Sequence, residues 1–524
     1  MTQSSHRRNL AKRPEKQTPT RLAYMTNTAA PAGLRQVWSF TGRYRVLHLT
    51  WFAFFLTFVV WFNLPPLAGA VAADLGLTKA QLATLALCNV ALTVPARIVI
   101  GVALDRFGPR RVFAGMLMYA AVPCLICATA TSFGSMVVGR LGASIVGAGF
   151  VVGVRMVAEW FPKSEMGTAE GIYGGWGNFG AAGAALALPA AAWAFGGAEG
   201  WRWAMASSGL IAAAYGVVYL RTVEDTPDGR VYLKPKRAGA LMVSSRRAVA
   251  GLAVWTAPLA AGLLLVSWRL SKAHLLRGYG LVAVVAVIAV LTVWQLLLIR
   301  RVNRSVLHVV APVEGRYAFR SVPILSLCYF ATFGSEVAVV SMLPLYVAGR
   351  FHLAPVAAGL LAGLYPFMNL TSRPAGGIAS DRVGSRRNAL LVLLVALACG
   401  YGVLLLSLRS HWPLPAVAVV LVVAAILVEA GAGATFAVVP LINARSTGQI
   451  SGIVGAYGNL GSLCYLTILA LWGPMWFFGS MAAVAVLAAG VCLALPDLAD
   501  HESAVVALPH PRSVGQPQRE GVSA

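Results

Sequence analysis

Runs of about twenty consecutive apolar residues, with few charges inside them, recur along nearly the whole chain. That is the length at which an α-helix crosses the hydrocarbon core of a bilayer. Composition agrees: 58% of the 524 residues are hydrophobic and only 11% are charged, too few charges to cover a soluble surface. The sequence therefore predicts an all-α polytopic membrane protein. Residues 1–46 are polar and basic, unlike a short apolar leader with a cleavage site.

Predicted spans lie at about 47–70, 82–104, 112–131, 134–157, 170–194 and 202–220, and at about 321–347, 356–379, 388–408, 414–437, 450–471 and 474–495. Between the sets, the basic region 221–320 holds two more apolar stretches, about 248–268 and 279–299, each long enough to cross. The expected architecture is thus fourteen transmembrane helices. A six-helix bundle (47–220) and a second one (321–496) flank the central linker with its two-helix insert, between a basic tail (1–46) and a Pro-rich, disordered tail (497–524).

Charge orients this arrangement. The first 46 residues hold nine Lys/Arg and one acidic residue, and the segments 105–111, 221–247 and 381–387 are basic as well. All fall on one side, so both termini are expected in the cytoplasm. The short loop of the insert opposes this, because Arg269, Lys272 and Arg277 would face outward. Either the hairpin violates the charge rule or its two stretches lie in the membrane interface. The net charge of +24 follows loops rather than a compact basic face, so it marks topology and not nucleic-acid binding. All seven Cys lie in apolar segments; Cys124-x-x-Cys127 has no second ligand pair and reads as packing.

The halves are related. Residues 171–180 and 452–461 share the pattern G-I-x-G-x-x-G-N-x-G, 281 positions apart. Arg97 stands eight residues before Asp105 in RIVIGVALDRFGPRR, and Arg373 stands eight before Asp381 in RPAGGIASDRVGSRR. Each arginine falls in the second helix of its half and each glycine ladder in the fifth. Such doubling points to a transporter with a midplane site between two repeats. A charged side chain at mid-membrane costs several kcal/mol, about 3 on insertion scales, unless it faces a cavity or partner. Eight residues is about 12 Å of helix, so Asp105 and Asp381 cannot readily neutralise Arg97 and Arg373. Two unpaired guanidinium groups call for an anion, and their planar fork of donors suits a planar oxyanion. Within the ladders, Gly171, Gly174 and Asn178 share a face, as do Gly452, Gly455 and Asn459. Small residues permit close helix approach, and the asparagines supply neutral donors.

The G-x-x-x-D-R-x-G-x-R-R loops resemble the signature of the major facilitator superfamily. The doubled glycine–asparagine motif is similar to the nitrate signature of its nitrate/nitrite porter family, and the two-helix insert resembles one subgroup of these porters. The resemblance implies a major facilitator fold of two six-helix halves with nitrate or nitrite bound between them. It places the substrate at Arg97, Arg373, Tyr329, Phe58, Phe150, Phe333, Asn178 and Asn459. It assigns the signature glycines as Gly171, Gly174, Gly175, Gly177, Gly180, Gly452, Gly455, Gly458 and Gly461. It makes Asp105, Arg106, Arg110, Asp381, Arg382 and Arg386 a cytoplasmic latch. On the helix beginning near 321, Tyr329, Phe333 and Glu336 fall at i, i+4 and i+7. Members thought to be exchangers often carry an apolar residue where Glu336 stands, which favours proton-coupled nitrate uptake over nitrate/nitrite antiport. Glu429 is a second intramembrane acid, and Arg155 and Glu159 are expected to pair or snorkel.

The expectation is a secondary transporter in the inner (cell) membrane, monomeric, in contact with lipid and without cofactor. Its cargo is nitrate or nitrite, with a proton as candidate co-substrate. Antiport, another small anion, and a transporter-like receptor are the alternatives. An enzyme is disfavoured: no nucleophile–base constellation, phosphate-binding loop or metal cluster is legible.

Overall fold

A computed structural model describes residues 37–197, 199–232, 239–272, 274–308, 317–353, 355–410 and 412–496. The expectations for residues 1–36 and for the tail 497–524 lie outside the described residues. All regular structure among the described residues is helical.

Thirteen helices among them are long and apolar enough to cross a membrane. The first half comprises α1 (Gly42–Leu75), α2 (Ala80–Phe107), α3 (Pro109–Ala128), α4 (Phe133–Trp160), α5 (Lys163–Phe195) and α6 (Gly200–Thr222). The insert is α7 (Arg246–Lys272) and α8 (Tyr279–Val302). In the second half are α9 (Ser321–Pro344), α11 (Arg386–Arg409), α12 (Leu414–Ile442), α13 (Ala444–Trp472) and α14 (Pro474–Cys492). The remaining expected span, about 356–379, is built differently. It consists of two consecutive helices, Pro355–Phe367 and Asn369–Arg382, which meet at Met368 and are together called α10. Pro366 and Pro374 interrupt the backbone ladder there, because proline has no N–H to donate. Asn369, Ser372 and Arg373 replace the apolar residues of an ordinary span with buried polar ones.

The halves meet along two seams, α5 on α10 and α2 on α13. Each seam joins the fifth helix of one half to the second helix of the other. The insert leans on the second seam. Trp255 of α7 stacks on Tyr457 of α13 at 4.7 Å, and the Tyr457 hydroxyl donates to the Trp255 carbonyl at 2.7 Å. The outer helix α8 leaves Val282, Val290, Val293 and Trp294 exposed, the pattern of a helix that faces lipid. Elsewhere in the first half, Arg140 of α4 is fully buried. It donates to the Asn63 side chain at 2.6 Å, to the Trp61 carbonyl at 2.8 Å and to Asn89. These bonds serve both terminal nitrogens of a buried guanidinium without an acid, while its Nε has no hydrogen-bond partner.

Candidate functional site

Each glycine ladder rests on the arginine-bearing helix of the opposite half. At one end of the bundle the Asp105 carboxylate accepts from the Gly448 and Gln449 amides, at 3.2 and 3.1 Å. The Asp381 carboxylate accepts from the Gly167 and Thr168 amides, at 2.9 and 2.6 Å, and from the Thr168 hydroxyl at 2.9 Å. Amides in the first turn of a helix lack intrahelical acceptors and carry the positive end of the helix dipole. A carboxylate from one half thus caps the ladder helix of the other, twice.

Two turns further in, the ladders meet the arginines. A Cβ on Gly174 would lie 2.7 Å from Arg373 Nε, and one on the equivalent Gly455 would lie 2.8 Å from Arg97 Nη1. Only glycine lets each guanidinium lie against the opposing backbone. The two guanidinium groups share their walls. Arg97 sits 5.6 Å from the Phe150 ring centre and 4.9 Å from that of Phe333; Arg373 sits 5.1 and 5.8 Å from the same two rings. Phe150 belongs to the first half and Phe333 to the second, so the cations converge on the boundary between bundles. Tyr329 stacks on Phe333 at 4.9 Å and accepts from Arg373 Nη2 at 3.0 Å. Both arginines are almost completely buried.

Their remaining partners differ. Arg97 donates to the carbonyls of Gly455 at 2.9 Å and Gly147 at 3.3 Å. Arg373 faces Glu336 at 3.6 Å and Glu429 at 3.8 Å. This corrects the reading of both arginines as unpaired: only Arg97 lacks a carboxylate. The two acids are tied together by Asn369, whose amide donates to Glu336 at 2.9 Å and to Glu429 at 2.8 Å. Asn178 donates to Glu336 at 3.3 Å, which links the first ladder to this network. Its counterpart Asn459 donates only to the Gly455 carbonyl, at 3.3 Å. Six polar atoms at the centre remain without a hydrogen-bond partner: Arg97 Nε, the side-chain oxygens of Asn178 and Asn459, and Arg373 Nη1 with the Glu336 and Glu429 Oε2 atoms that it faces at ion-pair distance.

Other sequence-selected residues fall outside the centre. Phe58 packs on Phe54, Trp61 and Phe62 rather than on either guanidinium. Phe436 of α12 meets both Phe150, at 4.5 Å, and Tyr329, at 4.6 Å, edge to face. Phe54 fills the layer beneath, against Phe150 and Tyr173. The remaining ladder glycines make close approaches: Gly171 to Pro374, Gly452 to the Arg97 carbonyl, Gly177 to Phe54, Gly458 to Tyr329, and Gly175, Gly180 and Gly461 to the carbonyls of Asn369, Phe55 and Phe330. At the loop end, Arg386 pairs with Asp381 at 2.8 Å and donates to the Lys163 carbonyl across the seam. Arg110 instead stays within its own half, donating to Asp225 and to the Leu220 carbonyl. Arg106 lies over Phe107, and Arg382 is solvent-facing. Arg155 pairs with Glu159 at 2.7 Å and donates to the Ala444 carbonyl of the second half.

Sequence reasoning gave no role to Asn369, Glu170 and Phe436. Asn369 carried a signal, since it stands one helical turn before Arg373 on the same face. Glu170, inside the first ladder, is a charged residue in a glycine-rich span and was open to the argument applied to Glu336. Phe436 had no local signal among the many apolar residues of α12.

The Major Facilitator Superfamily profile matches residues 50–239, 230–464 and 325–515. A nitrate/nitrite transporter of Picosynechococcus is 49% identical over 466 residues, covering 84% of this chain and 87% of the relative. The chain belongs to the nitrate/nitrite porter family of the major facilitator superfamily. A second nitrate/nitrite transporter, from Nostoc punctiforme, is 46% identical and covers 88% of this porter and 93% of its own length. A high-affinity nitrate transporter of Arabidopsis thaliana is 28% identical over 80% of the porter chain and 72% of its own. Among solved structures, the human organic anion transporter MFSD10 superposes with a TM-score of 0.58 at 17% identity, covering 86% of the porter and all of that chain. The proton:xylose symporter XylE gives 0.58 at 15% identity, over 87% and 96%. These two share the fold alone.

Proposed function

We propose that this protein carries nitrate, and nitrite as a second substrate, across the cell membrane by alternating access, with a proton moving in the same direction. The carrying observation is the pair of buried guanidinium groups, one from each half, over the same two phenyl rings, with Arg97 Nε lacking an acceptor. Residues 47–220 and 321–496 act as the two rocking bodies, 221–320 as their linker, and both termini lie in the cytoplasm. The protein works as a monomer, since the site needs residues of one chain only.

A planar trigonal anion between the guanidiniums accepts forked, charge-assisted hydrogen bonds from both halves. Phe150, Tyr329 and Phe333 exclude water and so strengthen those bonds. The bound anion offsets the mutual repulsion of the arginines and draws the halves together. Coupling follows from charge. Arg97 and Arg373 bring two positive charges, and Glu336 and Glu429 two negative ones. A nitrate alone would leave the dry site with net charge, which is unfavourable. A proton on the Glu336–Glu429 pair restores neutrality. Two carboxyl groups bridged by one asparagine share a proton readily, because like charges resist joint ionisation.

The experiment is isotope-labelled nitrate uptake into proteoliposomes, with the proton gradient and internal nitrite varied independently. Uphill accumulation driven by an acidic exterior, without internal nitrite, is the expected result. Movement only in exchange for internal nitrite, indifferent to the proton gradient, would replace symport with antiport.

A further inference from the structure

Glu170 lies in the first glycine ladder, 1% exposed, with neither carboxylate oxygen bonded to anything. A buried acid without partners is rare and needs an explanation. On α5 it stands one turn from Gly174, which touches Arg373, on the side toward Thr168, which touches Asp381. At 1.5 Å per residue it is about 6 Å from the level of Arg373 toward the loop end, whereas Asn178 lies about 6 Å the other way, where it donates to Glu336, which faces Arg373 from that side. Arg373 is therefore flanked along the membrane normal by acids on both sides. The repeat carries no such acid in the second ladder: the equivalent position is Ser451, whose hydroxyl donates to the Gly448 carbonyl.

The surroundings leave Arg373 as the natural counter-ion. The part of α5 that carries Glu170, Met166–Asn178, packs against α10, α1, α12 and α4. From α10, Arg373 acts on Glu170, and Tyr173 of α5 itself lies near it. On α10 as well, Asp381 is held by Gly167, Thr168 and Arg386. On α1, Arg43 and Tyr44 are turned to Glu165, His48 to the Val37 carbonyl, and Arg45 is exposed. From α12, Glu429 is held by Asn369; on α4, Arg155 pairs with Glu159 and Arg140 with Asn63.

We infer that Glu170 is the proton-releasing residue of the transport cycle, an alternative partner for Arg373 on the loop side of the anion site. The inference rests on the proton-coupled reading above. In the closed arrangement Arg373 faces Glu336 and Glu429, and Glu170 holds its proton as a neutral acid. When the seams part at the loop end, Arg373 turns one helical level to Glu170, whose O–H gives its proton to water there and leaves a carboxylate. The Glu336–Glu429 pair keeps the one proton that it took up with nitrate from the opposite side. On the empty return that proton passes from the pair to Glu170, and Arg373 moves back. One proton enters and one leaves per cycle.

The test uses purified full-length protein in liposomes, comparing accumulation driven by a pH gradient with nitrate/nitrate counterflow at equal pH. Glu170→Gln should lose gradient-driven accumulation by on the order of 100-fold, the scale of a lost proton-transfer group, while counterflow stays within about threefold. Glu170→Asp, which keeps a titratable group, should retain accumulation. Wild-type accumulation by Glu170→Gln overturns the inference and leaves the symport reading intact. Loss of counterflow together with accumulation in Glu170→Gln also overturns it, since the residue would then serve packing or anion binding. Failure of the wild-type protein to accumulate nitrate on a pH gradient overturns the symport reading itself, and this inference with it. Should Glu170→Gln not reach the membrane, Glu170→Ser, the residue of the second repeat, reads the same ratio.

Discussion

Arg97 and Arg373 occupy equivalent places in the two halves, touch equivalent glycines and face the same pair of phenyl rings. Their electrostatic settings are nevertheless opposite in kind. Arg97 is held by the carbonyls of Gly455 and Gly147, dipoles whose strength does not depend on pH. Arg373 is held by Glu336, Glu429 and Tyr329, and Glu170 waits one turn away. A duplicated scaffold has thus been given one fixed arm and one titratable arm. In the proposed cycle the fixed arm can bind an anion in every state. The titratable arm would make binding depend on where protons sit, which is the requirement for coupling two gradients. Under that proposal symmetry supplies the site, and its violation supplies the coupling.

The sharpest probe of this contrast replaces each arginine in turn. Charge-assisted hydrogen bonds contribute about 1.5–3 kcal/mol each, so Arg97→Ala and Arg373→Ala should both lower nitrate uptake by about 100-fold or more. Stability should separate them. Removing Arg373 leaves two buried carboxyl groups without their cation, a defect of about 3–5 kcal/mol, and adding Glu336→Gln should recover part of the lost melting temperature. Arg97→Ala leaves only carbonyls behind and should melt closer to wild type; equal losses in the two variants would dissolve the contrast.

Next in size are the acids. Glu336→Gln and Glu429→Gln should each reduce accumulation on a proton gradient by roughly 10- to 100-fold, the range below a fully lost proton-transfer group. Exchange of labelled for unlabelled nitrate at equal pH should survive, and external acidification, which should speed wild-type uptake, should leave these variants unaffected. If uptake by either variant still rises as external pH falls, coupling lies elsewhere.

Ladder substitutions come third. Gly174→Ala and Gly455→Ala each push a methyl into a guanidinium, and overpacking of this kind costs about 1–3 kcal/mol. The KM for nitrate should rise by about tenfold, more for Gly455→Ala, because the Gly455 carbonyl also accepts from Arg97. Kinetics in which Gly174→Ala is the more damaged would show that the titratable arm bears more of the anion's binding.

The smallest effects concern the two latches. Each carboxylate at a helix N-terminus contributes about 0.3–1 kcal/mol, a few-fold change in the balance between open and closed loop ends. Asp381→Asn should shift that balance further than Asp105→Asn, since Asp381 also pairs with Arg386. Spin-label distances across the two seams would measure both populations, and the reverse order would mean that the insert, which leans on the α2–α13 seam, governs closure.

Much of this protein was legible along the chain. Helices in lipid must satisfy their own backbones, so apolar runs and loop charges give the spans directly. The doubled ladder and the doubled arginine–aspartate spacing fixed the two halves, because a repeat keeps its register whatever it packs against. The break in α10 was not read, since 356–379 passed as one span, although Pro366, Pro374 and the polar residues around Arg373 mark it. What the chain order could not supply was partnership between helices. That Asp105 caps α13 and Asp381 caps α5, that Arg373 meets acids from α9 and α12 while Arg97 meets none, and that Phe436 rather than Phe58 joins the rings depends on how each helix is rotated and at what depth it sits. Spacing within one helix says which side chains share its face. Only the packing of fourteen helices says what that face looks at, and for a buried charge the answer decides whether it holds an anion or a proton.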